Sequence, residues 1–334
     1  MSQTHHRRRR RRRSWPRTFL LLIFTAAALA AMYRIVFQKP HVAAAANFPA
    51  AASAGTSQAS ASQEQGTVVN GMERKPDFFT ILVSGADDGN GNSDTNILVA
   101  FDAGSGAIHC VSIPRDSGMY VRGSAAKINS AYNRGGMEML SDCISGTLGI
   151  PIDFTVEVKL RGFVRLVDAI GGVDFNVPIN MDYDDPYQDL SIHLKKGMQH
   201  LNGENALKVV RFRHNNDGSG YGSEDIGRIG TQQAFLTAVA KQLLTLSNAD
   251  KVGELAKLFN EYVNTDLEVS ELAWLGKEAL SIGTDNITFT TLPGEWSGRR
   301  SLYMLDQDAV LELVNSSLNP YTADRTLSDL NLVT

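Results

Sequence analysis

Cysteine is nearly absent from this chain. Two in 334 residues exclude a disulfide scaffold and a cysteine-rich zinc module. Proline is scarce as well, at 10, while 43% of residues are hydrophobic, so the chain is not mainly disordered. The first 34 residues hold nine arginines and no acid. Beyond them basic charge runs short: the other 300 residues carry 23 basic side chains (32 less nine) against 36 acidic ones, a net of -13. A basic nucleic-acid-binding domain is thereby excluded, because the positive charge sits in one short terminal run. Familiar catalytic signatures are missing too. There is no GxxxxGK[ST] phosphate loop, no GxSxG elbow, no HExxH and no glycine fingerprint opening a βα unit. No internal repeat occurs, and the length allows one large or two ordinary domains.

What is present starts with arginine. Residues 7–13 are all arginine, Trp15 follows, and 19–32 is an apolar run. As a helix, 19–32 spans about 21 Å, and extension through 37 gives about 28 Å if Arg34 snorkels to the interface. The arginines mark the cytoplasmic side by the positive-inside rule. The segments expected are a cytoplasmic basic tail (1–18), a transmembrane helix (19–37) and a flexible linker (38–76) rich in Ala, Ser, Gly and Gln. A folded extracellular domain (77–334) follows, held at the cell membrane by a single pass. The same run also fits a cleaved export signal, with the alanines at 43–46 near the cleavage point.

From Phe78 onward strand and helix patterns alternate. Apolar runs at 79–85, 96–102, 107–113, 154–160, 173–177 and 287–292 predict strands. Helical spacing predicts helices over 135–148, 161–170, 202–209, 231–246, 251–264, 270–282 and 306–315. Interleaving of this kind predicts an α/β fold, a three-layer α-β-α sandwich on a central mixed sheet.

Chemistry is carried by arginine and aspartate. The loop 85–95 is polar, rich in glycine, and carries Asp87, Asp88 and Asp94 just past the first strand. Such hard oxygen donors suit Mg²⁺, although Asp, Asn and Gly also favour ordinary turns. Arg115 and Asp116 follow the strand 107–113, where α/β sheets commonly bind ligands. An ion pair with a neighbouring acid would explain them equally. In Val209-Val210-Arg211-Phe212-Arg213-His214, an extended chain would put Arg211 and Arg213 on one face. Asp225, Arg228 and Gln232 open a long helix, with Arg228 and Gln232 four apart on one face. In an acidic domain, Arg115, Arg211, Arg213 and Arg228 together would form an anion pocket, and forked guanidiniums suit pyrophosphate. His109, His193, His200 and His214 read as surface or hydrogen-bonding residues. Cys110 and Cys143 are either an exported pair or two free thiols.

The order of motifs resembles the LytR-CpsA-Psr family of membrane-anchored glycopolymer transferases. The match runs over 79–246: SDT (93–95), SIPRD (112–116), KINSAY (127–132), GIPIDF (149–154), DAIGGVDFNVP (168–178), MDYDDP (181–186), HLKKGMQHLNGENAL (193–207), VRFRH (210–214) and DIGRIGTQQ (225–233). The tail from 248 matches only loosely and is assigned no chemistry. The resemblance implies a hydrophobic groove for a polyprenyl chain. It implies transfer of a glycan phosphate from an undecaprenyl-pyrophosphate-linked carrier to a peptidoglycan hydroxyl, releasing undecaprenyl phosphate. The polymers involved are of the teichoic-acid or capsule kind found in Gram-positive walls.

By the same resemblance Asp87 and Asp94 match the Mg²⁺ ligands. Arg115, Arg211, Arg213 and Arg228 match the pyrophosphate-binding arginines, with Asp225 and Gln232 nearby, and Lys127 matches a basic residue that contacts substrate near the same site. Asp116 or Asp225 is either the general base or the group that orients Arg115 or Arg228. Three features depart from the family pattern. Gly89 stands where an arginine is usual, Thr231 replaces the first residue of RQQ, and the stretch 215–224 is long. Two other functions remain compatible with these residues: a non-catalytic carrier of polyprenyl pyrophosphate in wall assembly, and a pyrophosphate hydrolase with water as acceptor.

Overall fold

The computed structural model describes residues 37–42, 68–69, 72–86, 93–187, 190–221, 224–243 and 252–334. A small hairpin, β1 (Val68–Val69) and β2 (Met72–Glu73), leads into three antiparallel strands, β3 (Phe78–Ala86), β4 (Ser93–Asp102) and β5 (Ala107–Ile113). The strands alternate between two apolar faces. Leu82, Leu98 and Val111 point to one face, and Phe79, Ile97 and Cys110 to the other. A strand buried on both sides reads as a continuous apolar run, which is why the sequence pattern locates these three.

A second hairpin, β6 (Gly118–Val121) and β7 (Ser124–Lys127), turns through Arg122 and Gly123, both at positive φ, as a tight two-residue hairpin turn requires. Helix α1 (Asn129–Leu148) follows directly. The expected helix over 135–148 is its longer part, because Gly136 takes φ 64 and breaks the dihedrals after residue 134. Gly149 closes α1 in the left-handed conformation, where an added Cβ would lie 2.4 Å from the Asp329 carbonyl oxygen.

The chain continues through β8 (Phe154–Lys159), α2 (Leu160–Ala169), β9 (Val173–Val177), β10 (Met181–Asp185), β11 (Leu190–Leu194), β12 (Gly197–Leu201) and α3 (Gly203–Arg211). Then come α4 (Glu224–Leu243), α5 (Val252–Tyr262), β13 (Val263–Thr265), α6 (Val269–Ile282), β14 (Ile287–Thr291), β15 (Gly294–Ser297), β16 (Leu302–Leu305) and α7 (Gln307–Leu313). The helix expected over 251–264 stops short. Val263 and Asn264 leave it to pair with Val158 and Glu157 as a sheet edge, which buries Val263.

The central sheet has the order β13-β8-β3-β4-β5-β14. It is mixed: β3 is parallel to β8 and β5 to β14, while β4 runs against its neighbours. Leu140, Ile144 and Leu148 of α1 cover one face together with Val310, Val314 and Leu318. Leu236 of α4, Phe259 of α5 and Trp274 of α6 cover the other. A third apolar cluster joins β9–β12 to α2, α3 and α4 around Phe175, Phe212 and Phe235. Each buried leucine or phenylalanine contributes roughly 1.5–3 kcal/mol.

Two segments expected in the linker belong to the fold. Pro40 is buried and Val42 packs on the α6 face, with the His41 N–H donating to Glu271. Arg74 is 6% exposed and pairs with Asp153. The transmembrane helix expected over 19–37 lies outside the described residues except for Phe37. Among the described residues no helix is long and apolar enough to cross a membrane.

Candidate functional site

Four strands run parallel and end at one edge of the sheet, β3 at Ala86, β5 at Ile113, β8 at Lys159 and β14 at Thr291. Strand ends of this kind gather loops and helix termini, and ligands bind there. The β3–β4 pairing shifts register at Gly85/Ala86, so Ala86 faces Ser93 and Asp94 is the additional residue of a bulge. Asp87 lies outside the described residues, as do the side chains of Asp94, Asp225 and Arg228. Behind the bulge, Ser84, Ser93 and Asn96 form a buried network in which both hydroxyls reach Asn96 Oδ1.

Past β5, backbone bonds hold the segment Pro114–Ser117. The Arg115 carbonyl accepts from the Asn129 N–H (3.1 Å), that of Asp116 from Tyr303 (2.9 Å), and that of Ser117 from Ile128 (2.9 Å). This brings KINSAY beside SIPRD. Lys127 Nζ lies 2.9 Å from Asp116 Oδ1, and Arg115 Nε lies 3.9 Å from Asp116 Oδ2. All three side chains are partly exposed, so the cluster is both oriented and open to a ligand.

The VRFRH segment differs from the extended reading. Helix α3 runs through Arg211, because Val209 still packs into the third cluster and carries the helix with it. Phe212 then turns inward, fully buried, and its ring meets Tyr221 edge-on at 5.6 Å. Arg211 and Arg213 therefore flank a buried anchor and do not alternate on a strand. Lys208 and Arg211 occupy the last turn of α3, where the helix dipole favours positive charge.

Helix α4 begins at Glu224 and carries DIGRIGTQQ in its first turns. Gly227 allows its approach, since a Cβ there would lie 2.4 Å from Tyr221 Cβ. Thr231, where the resemblance leads one to expect a basic residue, is buried and bonds back to the Gly227 carbonyl (2.9 Å). Gln232 Nε2 donates to the Val210 carbonyl (3.2 Å), and Gln233 Nε2 to Thr291 Oγ1 (2.8 Å). Thr291 pairs with Ser112, three residues before Arg115. The two glutamines thus tie the end of α3 to the sheet edge that bears Arg115. A cavity of about 10 Å³, room for one water, lies beneath them against Ile97, Cys110, Leu236 and Phe289.

Other polar groups at this edge escape sequence reading. The Tyr132 hydroxyl donates to Glu157 Oε1, and Asn264 Nδ2 donates to Oε2 (3.0 Å). Burial, with the Glu157 bond and charge, pushes the Tyr132 phenol up to about 12, so it remains a donor at neutral pH. Trp296 on β15 lies with its ring centroid 5.5 Å from Lys127 Nζ. Only the SAY of KINSAY hints at Tyr132, and nothing in the tail marks Trp296.

The histidines make hydrogen bonds: His109 with Thr288, His193 with Asp182, His200 with Asp174, and His214 with the Asn215 carbonyl. Cys110 and Cys143 are free, and they pack on opposite faces of the sheet.

With the edge and its residues in place, comparison with known proteins becomes informative. The pattern of the LytR_cpsA_psr family matches residues 45–318. The chain belongs to the LytR_cpsA_psr family. It is an enzyme of that family. It is 34% identical over 272 residues to the polyisoprenyl-teichoic acid–peptidoglycan teichoic acid transferase TagV of Bacillus subtilis, covering 76% of this chain and 67% of that one. The corresponding transferase TagU of Bacillus cereus is 34% identical over 203 residues, covering 59% of this chain and 63% of the relative. This chain therefore spans about two thirds of the length of these relatives. The crystal structure of B. subtilis TagV superposes with a TM-score of 0.62 at 29% identity, covering 72% of this chain and 96% of that structure.

Proposed function

We propose that this protein transfers a glycopolymer phosphate from an undecaprenyl-pyrophosphate-linked carrier to a peptidoglycan hydroxyl. The observation that carries the reading is the Arg115–Asp116–Lys127 cluster at the edge where four parallel strands end. The relatives' role in joining teichoic acid to peptidoglycan supports it. In the reaction, the acceptor oxygen attacks the phosphorus that carries the glycan. A new P–O bond forms, and the bond from that phosphorus to the bridging oxygen breaks. The hydroxyl proton passes to water, and undecaprenyl phosphate leaves.

The residues divide the work by charge. Arg115 and Lys127 neutralise charge that builds on the phosphoryl oxygens, joined by Arg211 and Arg213 from the end of α3 and by Arg228 on α4. Asp116, paired to Lys127 and next to Arg115, orients these cations, and Asp225 would do the same for Arg228, three residues on in the sequence. Gln232 steadies the α3 terminus through Val210. Asp87 and Asp94, the carboxylates that the family resemblance assigns to the metal, would hold Mg²⁺, an ion that prefers hard oxygen donors. When bound, it supplies positive charge to the pyrophosphate. The protein is anchored at the cell membrane by the helix over 19–37, with the domain outside.

The test uses the purified full chain with a lipid-pyrophosphate-linked sugar and Mg²⁺, with and without peptidoglycan. Turnover only with peptidoglycan is expected. Turnover in water alone makes the protein a hydrolase, and binding without either product makes it a carrier. Arg115→Ala and Arg213→Ala are expected to keep the melting midpoint and lose about 10²–10³-fold in rate. Turnover close to that of the unaltered protein in both variants removes this site assignment.

A further inference from the structure

The tail that carries no recognisable motif supplies a wall of the site. After β14, the hairpin β15–β16 folds back against β6–β7, with Tyr303 donating its N–H to the Asp116 carbonyl and bridging Ser117. Gly294 permits the return, since a Cβ there would lie 2.3 Å from the Met304 carbonyl oxygen. The hairpin's large apolar side chains are divided. Leu302 is buried and Leu305 packs on the core under α1, whereas Trp296 is 54% exposed. A half-exposed tryptophan with the Lys127 ammonium over its ring points to a binding role, since exposed aromatic surface rimmed by polar groups marks interaction sites.

We propose that Trp296 is a stacking platform for a pyranose ring of the transferred or accepting glycan, a reading that rests on the transfer site placed at Arg115. The apolar C–H face of a pyranose matches the flat indole in size and polarity. Around that ring the hydroxyls need polar partners, and these are at hand: Lys127 Nζ is 5.5 Å from the ring centroid and bonds Asp116 at 2.9 Å. At the hairpin tip Arg299 is exposed and adds positive charge for the anionic groups of wall glycans, while Arg300 donates to the Thr334 carbonyl and Glu295 adds an exposed carboxylate. A lipid surface fits less well. Bilayer insertion needs several apolar side chains on one face, and the hairpin exposes one. A sugar seated on Trp296 would direct its hydroxyls toward Asp116 and Arg115, so the platform sets which hydroxyl or phosphate meets the arginines.

The full chain and its Trp296→Ala and Trp296→Phe variants are titrated calorimetrically. One arm uses a peptide-free peptidoglycan tetrasaccharide, the other a soluble teichoic-acid disaccharide phosphate, and a control uses anionic lipid vesicles. Trp296→Ala is expected to weaken at least one saccharide by about tenfold or more. Trp296→Phe is expected to retain most of the affinity, and neither variant to shift the melting midpoint. The saccharide affected identifies the source of the ring. Unchanged affinity in both saccharide arms overturns the proposal, as does failure of the unaltered protein to bind either. Loss confined to vesicle binding overturns it in favour of a membrane contact. None of these titrations requires turnover. A protein that binds sugar through Trp296 yet transfers nothing therefore loses the transfer reading and keeps the platform.

Discussion

Cys110 shows how far a single residue's surroundings decide its chemistry. It lies in the middle of β5, and burial pushes its thiol up to about 12. Because the thiolate is the reactive form, a raised value leaves Cys110 as an unreactive thiol at pH 8. Cys143, half-buried beside Asp142, is raised as well. Native protein treated with iodoacetamide at pH 8 is expected to leave Cys110 unmodified, while unfolding without reductant releases two alkylatable thiols. An intact mass showing no modification after unfolding would mean a disulfide. Sequence left the pairing open because spacing does not report which face of a sheet a residue occupies. The same limit applied to Arg211. Its arginine character was legible, but its seat at a helix terminus depends on Val209 and Phe212 finding the third core cluster.

At the level of elements, the loop after Arg213 is held by side chains that imitate a strand. Asn216 accepts from the Asp184 N–H (2.6 Å) and donates to the Asp184 carbonyl (3.0 Å), as a peptide group of a neighbouring strand would. Asn215 accepts from the Asp182 N–H (2.7 Å). The open edge of β10 is thereby capped, and Arg213 is fixed one end of the way. Asn216→Ala removes two hydrogen bonds, so cleavage by trypsin at Arg213 should rise about five- to tenfold with the global unfolding midpoint unchanged. An unaltered cleavage rate would show that the Asn216 side chain does not hold the loop. The central strands and most helices were legible because both depend on apolar periodicity. The short pairs β6–β7, β10–β11 and β15–β16 were not, since strands of four or five residues with one wet face carry too little pattern. Trp296 belongs to that class, and its place beside Lys127 arises from pairing between segments far apart in the chain.

On the scale of the whole molecule, Arg74 and Asp153 join the entry of the chain to the sheet. Asp153 Oδ2 accepts from Arg74, from the Thr80 N–H (2.8 Å) and from Thr80 Oγ1 (2.9 Å), while Arg74 bridges to Tyr321 in the tail. Burial pushes the Asp153 carboxyl up, against the pull of Arg74 and the Thr80 bonds. A carboxyl raised on folding holds its proton more tightly in the folded state. The stability it carries therefore falls as pH rises from the ordinary carboxylate range through the raised value. Arg74→Ala removes the lowering charge and leaves a buried carboxylate without its counter-ion, at a cost of about 3–5 kcal/mol at neutral pH. Urea midpoints should show a smaller loss at pH 4 than at pH 7; equal losses would mean that Arg74 acts by packing only.

The edge strand β14 also governs the order in which the protein can assemble. Its contact with β5 is made across 179 positions, from His109 to Thr288. Contacts of such separation form late, after the local hairpins and helices of the amino-terminal part. Gln233 has no Thr291 to bond, and Lys127 no Trp296 to approach, until the chain has been made through β15. A nascent chain can thus carry every arginine of the site while the surface that would present them to a lipid carrier is still missing its closing strand.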